Sequence, residues 1–586
     1  MNPIFRLTLT GCIFLTANIF SVCATTLTFK DRLEPRLVGM IPELIKEFSP
    51  ETGRFKQGPF DARGQDPIYT LATVYSLNFA GNPYYKSHEI LNMIIAGGDA
   101  LIREQDDRGM WPFNKNGSYW GQTFMCWTYS RWIRTYIIIK ADMPANQKNR
   151  WDSALRKGYE SISRTELKRI TNISTQLATA LYMAGLAFDR EDWKLQATDF
   201  LHRVIATQHK PGYWSEHLGP TVIYNYVYTD ALGIYYAFSR DAAAARALER
   251  ASAFHLNFTY PDGSNIETVD ERNPYHAGAS YNHNLGFSYS PEGRAFLSRQ
   301  WDNLDWKLSA DAISSYLLYG EEGPMVIPPS ENTYALVEDG APRATVTRKG
   351  PWILVMSAYT SPLVQDRWIQ DRQNLVSIWH DSTKLILGGG NTKLQPAWSN
   401  FTVGDMHVLR HTPGEERPDF APKGELYWIP SHATITNGDF PALALTYGPV
   451  QCQIALKPID ANRLKYEVSA KSETPLTVLA HLTLMPKLGA NLNTSGGYRG
   501  KLESTAIELD SARLGNGMEY GDIQLELPEG TTLHWPALPH NPYMKNGHSD
   551  PKEGRIELRI PLVPNGTSKT VTLRIKPAEF AEKEAL

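Results

Sequence analysis

Arg272, Tyr275, His276, Tyr281, Asn282 and His283 fall within a dozen residues of one another. They belong to the stretch YPDGSNIETVDERNPYHAGASYNHNLGFSYSPEGR, residues 260–294. These residue types suit proton abstraction beside a carboxylate. A cation and a neutral donor hold the carboxylate and stabilise the enolate-like charge. A base takes the proton and an acid protonates the leaving oxygen. A tyrosine serves as base only where neighbouring cations pull its pKa down from about 10. Arg272 and His276 are close enough in sequence to do so, with Tyr281 as the base and Tyr275 as the alternative. The bland alternative is a surface loop stitched by Arg–carboxylate pairs.

Other stretches add candidates. In YWSEHLGPTVIYNYVYTD, residues 213–230, Glu216 and His217 lie in a loop, and Asn225 and Tyr228 share a helical face. Asn225 is expected to help neutralise the carboxylate, with His217 as acid or second neutraliser. Tyr224 and Tyr226 read as helix packing. Trp111 and Trp120, in MWPFNKNGSYWGQTF, are expected to stack on sugar rings. Asn172 either caps a helix or binds a carboxylate. Glu267 is the open case: a wall of this pocket, or half of a carboxylate pair with Glu216.

The elements that must position these groups come in two kinds. Helical spacing of apolar residues marks 37–48, 68–79, 88–103, 123–140, 172–186, 193–207, 222–238, 242–255 and 308–319. Four glycine turns punctuate them, at Gly53, Gly109, Gly212 and Gly263, separated by 56, 103 and 51 residues. A period of roughly fifty residues, one helical hairpin each, implies a ring of hairpins with a missing turn near residue 160. Five to six hairpins fit, an (α/α) toroid over 25–323. A Pro-rich linker is expected at 324–340. Alternating stretches such as LKYEV and VTLRI then predict a large antiparallel β-sandwich over 341–586.

Composition bounds the partners. The chain has 586 residues, 42% hydrophobic and 21% charged, which fits a folded multidomain protein. A net charge of −3 supplies no basic field for nucleic acid or anionic membrane. Residues 1–24 read as a signal peptide: Arg6, an apolar run over 7–22, then small residues before a cleavage site after Ala24. Leu9-Thr10-Gly11-Cys12 is a competing lipobox, but the apolar run continues beyond it. No later stretch is long enough to span a membrane, so the periplasm or the medium is expected. Cys126 and Cys452 remain as free thiols. Residues 388–401 carry three glycines that permit close backbone approach, with no phosphate-loop pattern.

Signal peptide, helical toroid and β-sandwich in that order resemble the exported polysaccharide lyases: chondroitin AC-type and hyaluronate lyases and the heparinase II/III-like enzymes. Asp262-Gly263-Ser264-x-Ile266 is similar to the Asp-Gly-Ser turn before the catalytic His and Tyr of hyaluronate lyases. Thr268 stands where that family has its His, so His276 must substitute, and Tyr281 after Gly278 matches the Tyr. In size and layout the chain also resembles the rhamnosyl-glucuronate lyases. The resemblance implies cleavage at C4 of a uronate by β-elimination, leaving a 4,5-unsaturated sugar. The ligand would be a uronate-containing polysaccharide or oligosaccharide, with no organic cofactor. A structural metal stays open, because Asp, Asn and His are frequent in the loops. Two other readings remain: a glycoside hydrolase pairing Glu216 with Glu267 or Asp270, roughly 5 to 9.5 Å apart, and a non-catalytic glycan-binding protein.

Overall fold

The computed structural model describes residues 28–576 except 116–117, 217, 271–277, 280–284, 389, 410–414, 416–417, 420, 437–439 and 545. Eleven helices fill the first half: α1 (Phe29–Glu47), α2 (Pro67–Ser76), α3 (His88–Glu104), α4 (Cys126–Ile139), α5 (Ala145–Thr165), α6 (Asn172–Phe188), α7 (Glu191–Ala206), α8 (Val222–Ser239), α9 (Ala242–Asn257), α10 (Pro291–Asn303) and α11 (Ala310–Tyr319). Inner helices α2, α4, α6 and α8 pack in succession. A short 3₁₀ turn, Leu285–Tyr289, follows α8, and α11 then closes back onto α2. The outer helices are α1, α3, α5, α7, α9 and α10. This is a toroid of six hairpins in which the fifth inner position is a non-helical segment. Glycine makes that substitution fit: a Cβ on Gly233 of α8 would lie 2.6 Å from Gly286 Cα, so the turn approaches the helix at backbone distance.

Two outer helices were not expected. In α5 the buried face, Trp151, Ala154, Leu155, Gly158, Tyr159 and Ile162, has clean helical spacing. Charged residues on the remaining faces dilute it. In α10 the first turn carries Pro291 and Gly293, which read as a loop, yet Ser290 caps it and Phe296, Leu297 and Trp301 are buried. α1 starts eight residues before the expected Leu37 and runs through Pro35 and Pro42. Phe29 anchors it among Trp301, Trp306 and Tyr316, and its first backbone N–H groups donate to the Glu322 carboxylate at 3.0 Å. The first helix is thereby tied to the end of the last hairpin.

A repeated latch holds the mouth-side turns. QDDRGMW (105–111) and QHKPGYW (208–214) share one construction. The glutamine amide donates to the turn glycine's carbonyl, Gln208 to Gly212 at 3.1 Å and Gln105 to Gly109 at 3.5 Å. The tryptophan indole donates to a carbonyl of the preceding helix, Trp111 to Leu101 at 2.9 Å and Trp214 to Val204 at 3.0 Å. Gln65 and Gln300 catch the carbonyls of Gly53 and Gly263 in the same way. The turn between α5 and α6, where the motif is missing, has no such glycine.

The sandwich contains an eleven-stranded and a nine-stranded antiparallel sheet among the described residues. The larger begins with β3 (Glu331–Glu338), β4 (Ala341–Lys349), β5 (Trp352–Ser357), β6 (Val376–His380) and β7 (Lys384–Leu387), hydrogen-bonded in chain order. It continues through Val478–Leu484 and Arg555–Leu562. β3 lies inside the stretch expected to be linker, because its alternation follows directly on the prolines. Val355, Trp379 and Leu336 join the toroid's core, while Leu354, Ile378 and Ile386 face the second sheet. Cys126 and Cys452 are buried free thiols, one in each half.

Candidate active site

The turns that follow the outer helices, and the N-termini of the inner helices, lie at one end of the ring. The eleven-stranded sheet docks on that end. Tyr213 and Tyr359 both donate to Glu338, at 2.6 and 2.8 Å, and His209 Nδ1 lies 2.9 Å from the same carboxylate. Burial would raise the Glu338 pKa, but the bonds from His209, Tyr213 and Tyr359 outweigh it and hold the carboxyl down at about 2.

Further along the seam, the ring of Tyr260 stacks on Trp379 at 4.9 Å, and its hydroxyl meets Ser377 Oγ at 2.7 Å. Thr268 shares that serine at 2.8 Å. Arg372, fully buried, donates to the Val269 carbonyl at 3.0 Å, and Asn391 to the Asp270 carbonyl at 3.2 Å. Asp270 Oδ2 accepts from Val222 N–H at 2.9 Å, so a buried carboxylate sits on the N-terminus of α8. Gly388, at φ +113°, presses on Glu267: a Cβ there would stand 2.8 Å from Glu267 Oε1. The glycine run thus provides the close approach its composition allows. Arg555, fully buried beside Trp398, is pushed down to about 10 by burial, against the pull of Glu267.

Several expected site residues have other duties. Trp111 is fully buried against Tyr129 and Trp132 and belongs to the turn latch, so it walls no sugar pocket. Asn225 is fully buried: its oxygen accepts from Trp214 N–H at 2.7 Å, and its amide donates to Thr221 O and Trp214 O. It holds the 214 turn to α8 and has no group left for a substrate carboxylate. Tyr228 stacks on Trp214 at 5.3 Å and is buried, with its phenol pushed up to about 12. Glu267 is sealed at 1% exposure, which removes it as an open wall.

Others remain accessible. Trp120 is 64% exposed on the hairpin formed by β1 (Trp111–Lys115) and β2 (Ser118–Thr123), edge-on to Phe113. Glu216 and Asn172 are half-buried. Thr171, not Asn172, supplies the capping box of α6. Arg272, Tyr275, His276, Tyr281 and His217 lie outside the described residues. Of the described residues near those positions, Asp270 accepts from the N-terminus of α8 and Ala279 pairs with Ser264. Among the tyrosines of 213–228, Tyr224 alone is not buried. Tyr226, its neighbour two residues on, is buried and donates to Asn265 at 2.6 Å. Position 224 falls in the first turn of α8, on the mouth side, which the tyrosine-rich run did not disclose.

Below the mouth, Arg131 of α4 bridges Asp66 and Asp311, joining the first and last inner helices. Gln176 of α6 donates to Asp230 of α8 at 3.0 Å. This polar plug floors the ring. Among the described residues, no group of three or more His, Cys, Asp or Glu is placed to hold a metal, and no helix is long and apolar enough to cross a membrane.

No protein-family model matches the chain, and no curated protein matches it in sequence. Its structure is similar to solved ones. A xanthan lyase from Paenibacillus superposes with a TM-score of 0.57 at 12% identity, over 95% of this chain. The present chain spans only 58% of that protein's length. The chondroitin AC lyase of Streptomyces coelicolor A3, as its Y253A mutant, gives 0.53 at 13% identity, over 93% of this chain and 79% of that one. A heparinase III gives 0.50 at 10% identity, over 94% and 84%. At such identities the likeness is one of fold: an (α/α) toroid followed by a β-sandwich.

Proposed function

We propose that the protein is an exported polysaccharide lyase that cleaves a uronate-containing glycan by β-elimination at C4. One observation carries the reading. The fifth inner position of the ring is the short turn Leu285–Tyr289 rather than an α-helix, and the polar residues 259–270 that follow α9 are pressed against the sandwich beside the N-terminus of α8. The solved structures that share this two-part fold are named as lyases of xanthan, chondroitin and heparan-type glycans.

In the proposed step the C5–H bond breaks and its proton passes to a tyrosine base. The C4–O bond breaks, the leaving oxygen takes a proton, and a C4–C5 double bond forms. No electrons are gained or lost overall, so the chemistry requires no organic cofactor. Tyr281 is the proposed base, with Tyr275 and the mouth-side Tyr224 as alternates. Arg272 and His276 neutralise the carboxylate, and His217 serves as acid or second neutraliser. Trp120, Glu216 and Asn172 line the substrate path. Rhamnosyl-glucuronate linkages are among the proposed substrates.

A hydrolase reading asks Glu216 to work with Glu267 or Asp270. Both partners are closed off: Glu267 lies beneath Gly388, and Asp270 is committed to the backbone of α8. A water-activating carboxylate needs access to water, which favours elimination. The test is a panel of uronate glycans followed by near-ultraviolet absorbance of the new double bond. Tyr281→Phe should lower kcat at least about a thousandfold, in the range of a lost general base. Glu267→Gln should keep the reaction type unchanged. Full activity of Tyr281→Phe moves the base to Tyr275 or Tyr224, and full activity of all three tyrosine variants removes the mechanism.

A further inference from the structure

A second patch on the sandwich has the chemistry of a sugar-binding platform. Trp368 is 41% exposed and Tyr543 57%, and their rings lie 5.6 Å apart at 59°. They come from two loops distant in sequence. Arg367 lies over the Trp368 ring, 5.3 Å from its centroid, and donates to the Met544 carbonyl, tying one loop to the other. Arg367 is half-buried beside the two rings.

The patch is held rigidly and sits close to the seam. Both loops hang on Thr392: Asp371 N–H donates to its carbonyl, and His540 N–H to its hydroxyl at 2.8 Å. The buried ion pair Lys393–Asp371, at 2.6 Å, locks the first loop, and Lys393 also donates to the Val364 carbonyl. Gln370, buried, bonds the Arg367 carbonyl at 2.9 Å. The residue before Thr392 is Asn391, which bonds Asp270 at the ring mouth. Trp368 is three residues from Asp371, at most about 11 Å of extended chain. An aromatic pair left in water at a fixed place costs solvation without serving the core. Sugar C–H faces stack on such rings, and a guanidinium beside them selects an acidic sugar.

We propose that Trp368, Tyr543 and Arg367 form a subsite on the sandwich rim that binds an acidic sugar unit of the polymer, remote from the bond that is cleaved. This rests on the lyase reading for its substrate class, and the test separates the two. Calorimetry with polygalacturonate, chondroitin sulfate, heparan sulfate and xanthan gives Kd without turnover, and the absorbance assay gives KM and kcat. Trp368→Ala should weaken Kd and raise KM for the polymer that binds by about tenfold, close to 1.4 kcal/mol, with kcat kept. Trp368→Tyr should restore most of the affinity, which excludes misfolding as the cause. Arg367→Gln should weaken binding by severalfold and flatten its salt dependence. Turnover with KM unchanged in Trp368→Ala and Tyr543→Ala overturns the subsite and leaves the lyase standing. Trp368-dependent binding without turnover does the reverse. A protein that neither binds nor cleaves any of the four overturns both.

Discussion

His255 shows how far burial alone can set a residue's chemistry. Its ring is packed among Tyr226, Phe254, Phe287 and Phe296, and burial holds its pKa down at about 3. The unfolded chain binds the proton near pH 6.5 and the folded one does not. Stability from this site is therefore complete above about pH 6.5 and is lost as pH falls toward 3. At pH 5 the loss is about 2 kcal/mol. Thermal unfolding of His255→Phe against the unsubstituted protein should show a difference that moves in the variant's favour as pH drops from 7 to 5. A pH-independent difference would mean that the imidazole takes up its proton as readily in the fold as in the unfolded chain.

The same scale explains what was legible in the sequence. Residue types named the chemistry of 260–294, but type does not reveal commitment. Asn225 and Trp111 suit a sugar site by type, yet each has its polar atoms spent on backbone groups ten or so residues back in the chain. The local pattern QxxxGxW, present twice, carried that information for Trp111 and Trp214. Tyr224 and Tyr226 are both tyrosines of one helix, and only the packing of α8 separates the buried one from the half-exposed one. No local signal announced Glu338, Tyr359, Arg372 or Asn391, each of which also bonds a residue of the toroid more than a hundred positions away.

Among the elements, the hairpin repeat was readable because glycine turns recur at four of the six places where an outer helix ends, at Gly53, Gly109, Gly212 and Gly263. The turn at Gly212 gives the clearest test. Its φ is +108°, and a Cβ there would meet the Arg250 carbonyl oxygen at 2.1 Å. Gly212→Ala should cost more than about 2 kcal/mol, because strain and clash add. Gly81 also has positive φ, at +85°, with nothing within 4 Å, so Gly81→Ala should cost only about 1 kcal/mol. Denaturant midpoints of the two variants compare them directly. Equal losses would show that the turn yields and that the close packing is not what fixes the repeat. The helices that escaped notice, α5 and α10, are outer ones whose water-facing sides are rich in charge.

At the scale of the whole molecule, the ring and the sandwich share an apolar core through Leu336, Val355 and Trp379, and polar groups pin the seam beside it. Glu338 is the pivot on one side of the seam. Its carboxylate, held at about 2, stabilises the joint above about pH 4.3 and releases it as pH falls from there toward 2. Glu338→Gln should cost on the order of 1 to 2 kcal/mol, since three donors lose a charged acceptor. Hydrogen exchange should then speed up around 209–214 and 359 while the far sides of both halves stay protected. Uniform acceleration throughout would mean that the two halves unfold as one unit and that the seam has no separate stability.

The central claim is elimination at that mouth, and the path of oxygen decides it. Uronate glycans that bind the protein are digested in heavy-oxygen water and the products weighed. The account predicts products without heavy oxygen at the cleaved bond, one of each pair carrying a C4–C5 double bond that absorbs in the near ultraviolet. One heavy oxygen per cleavage, with no new absorbance, would contradict it and make the protein a hydrolase.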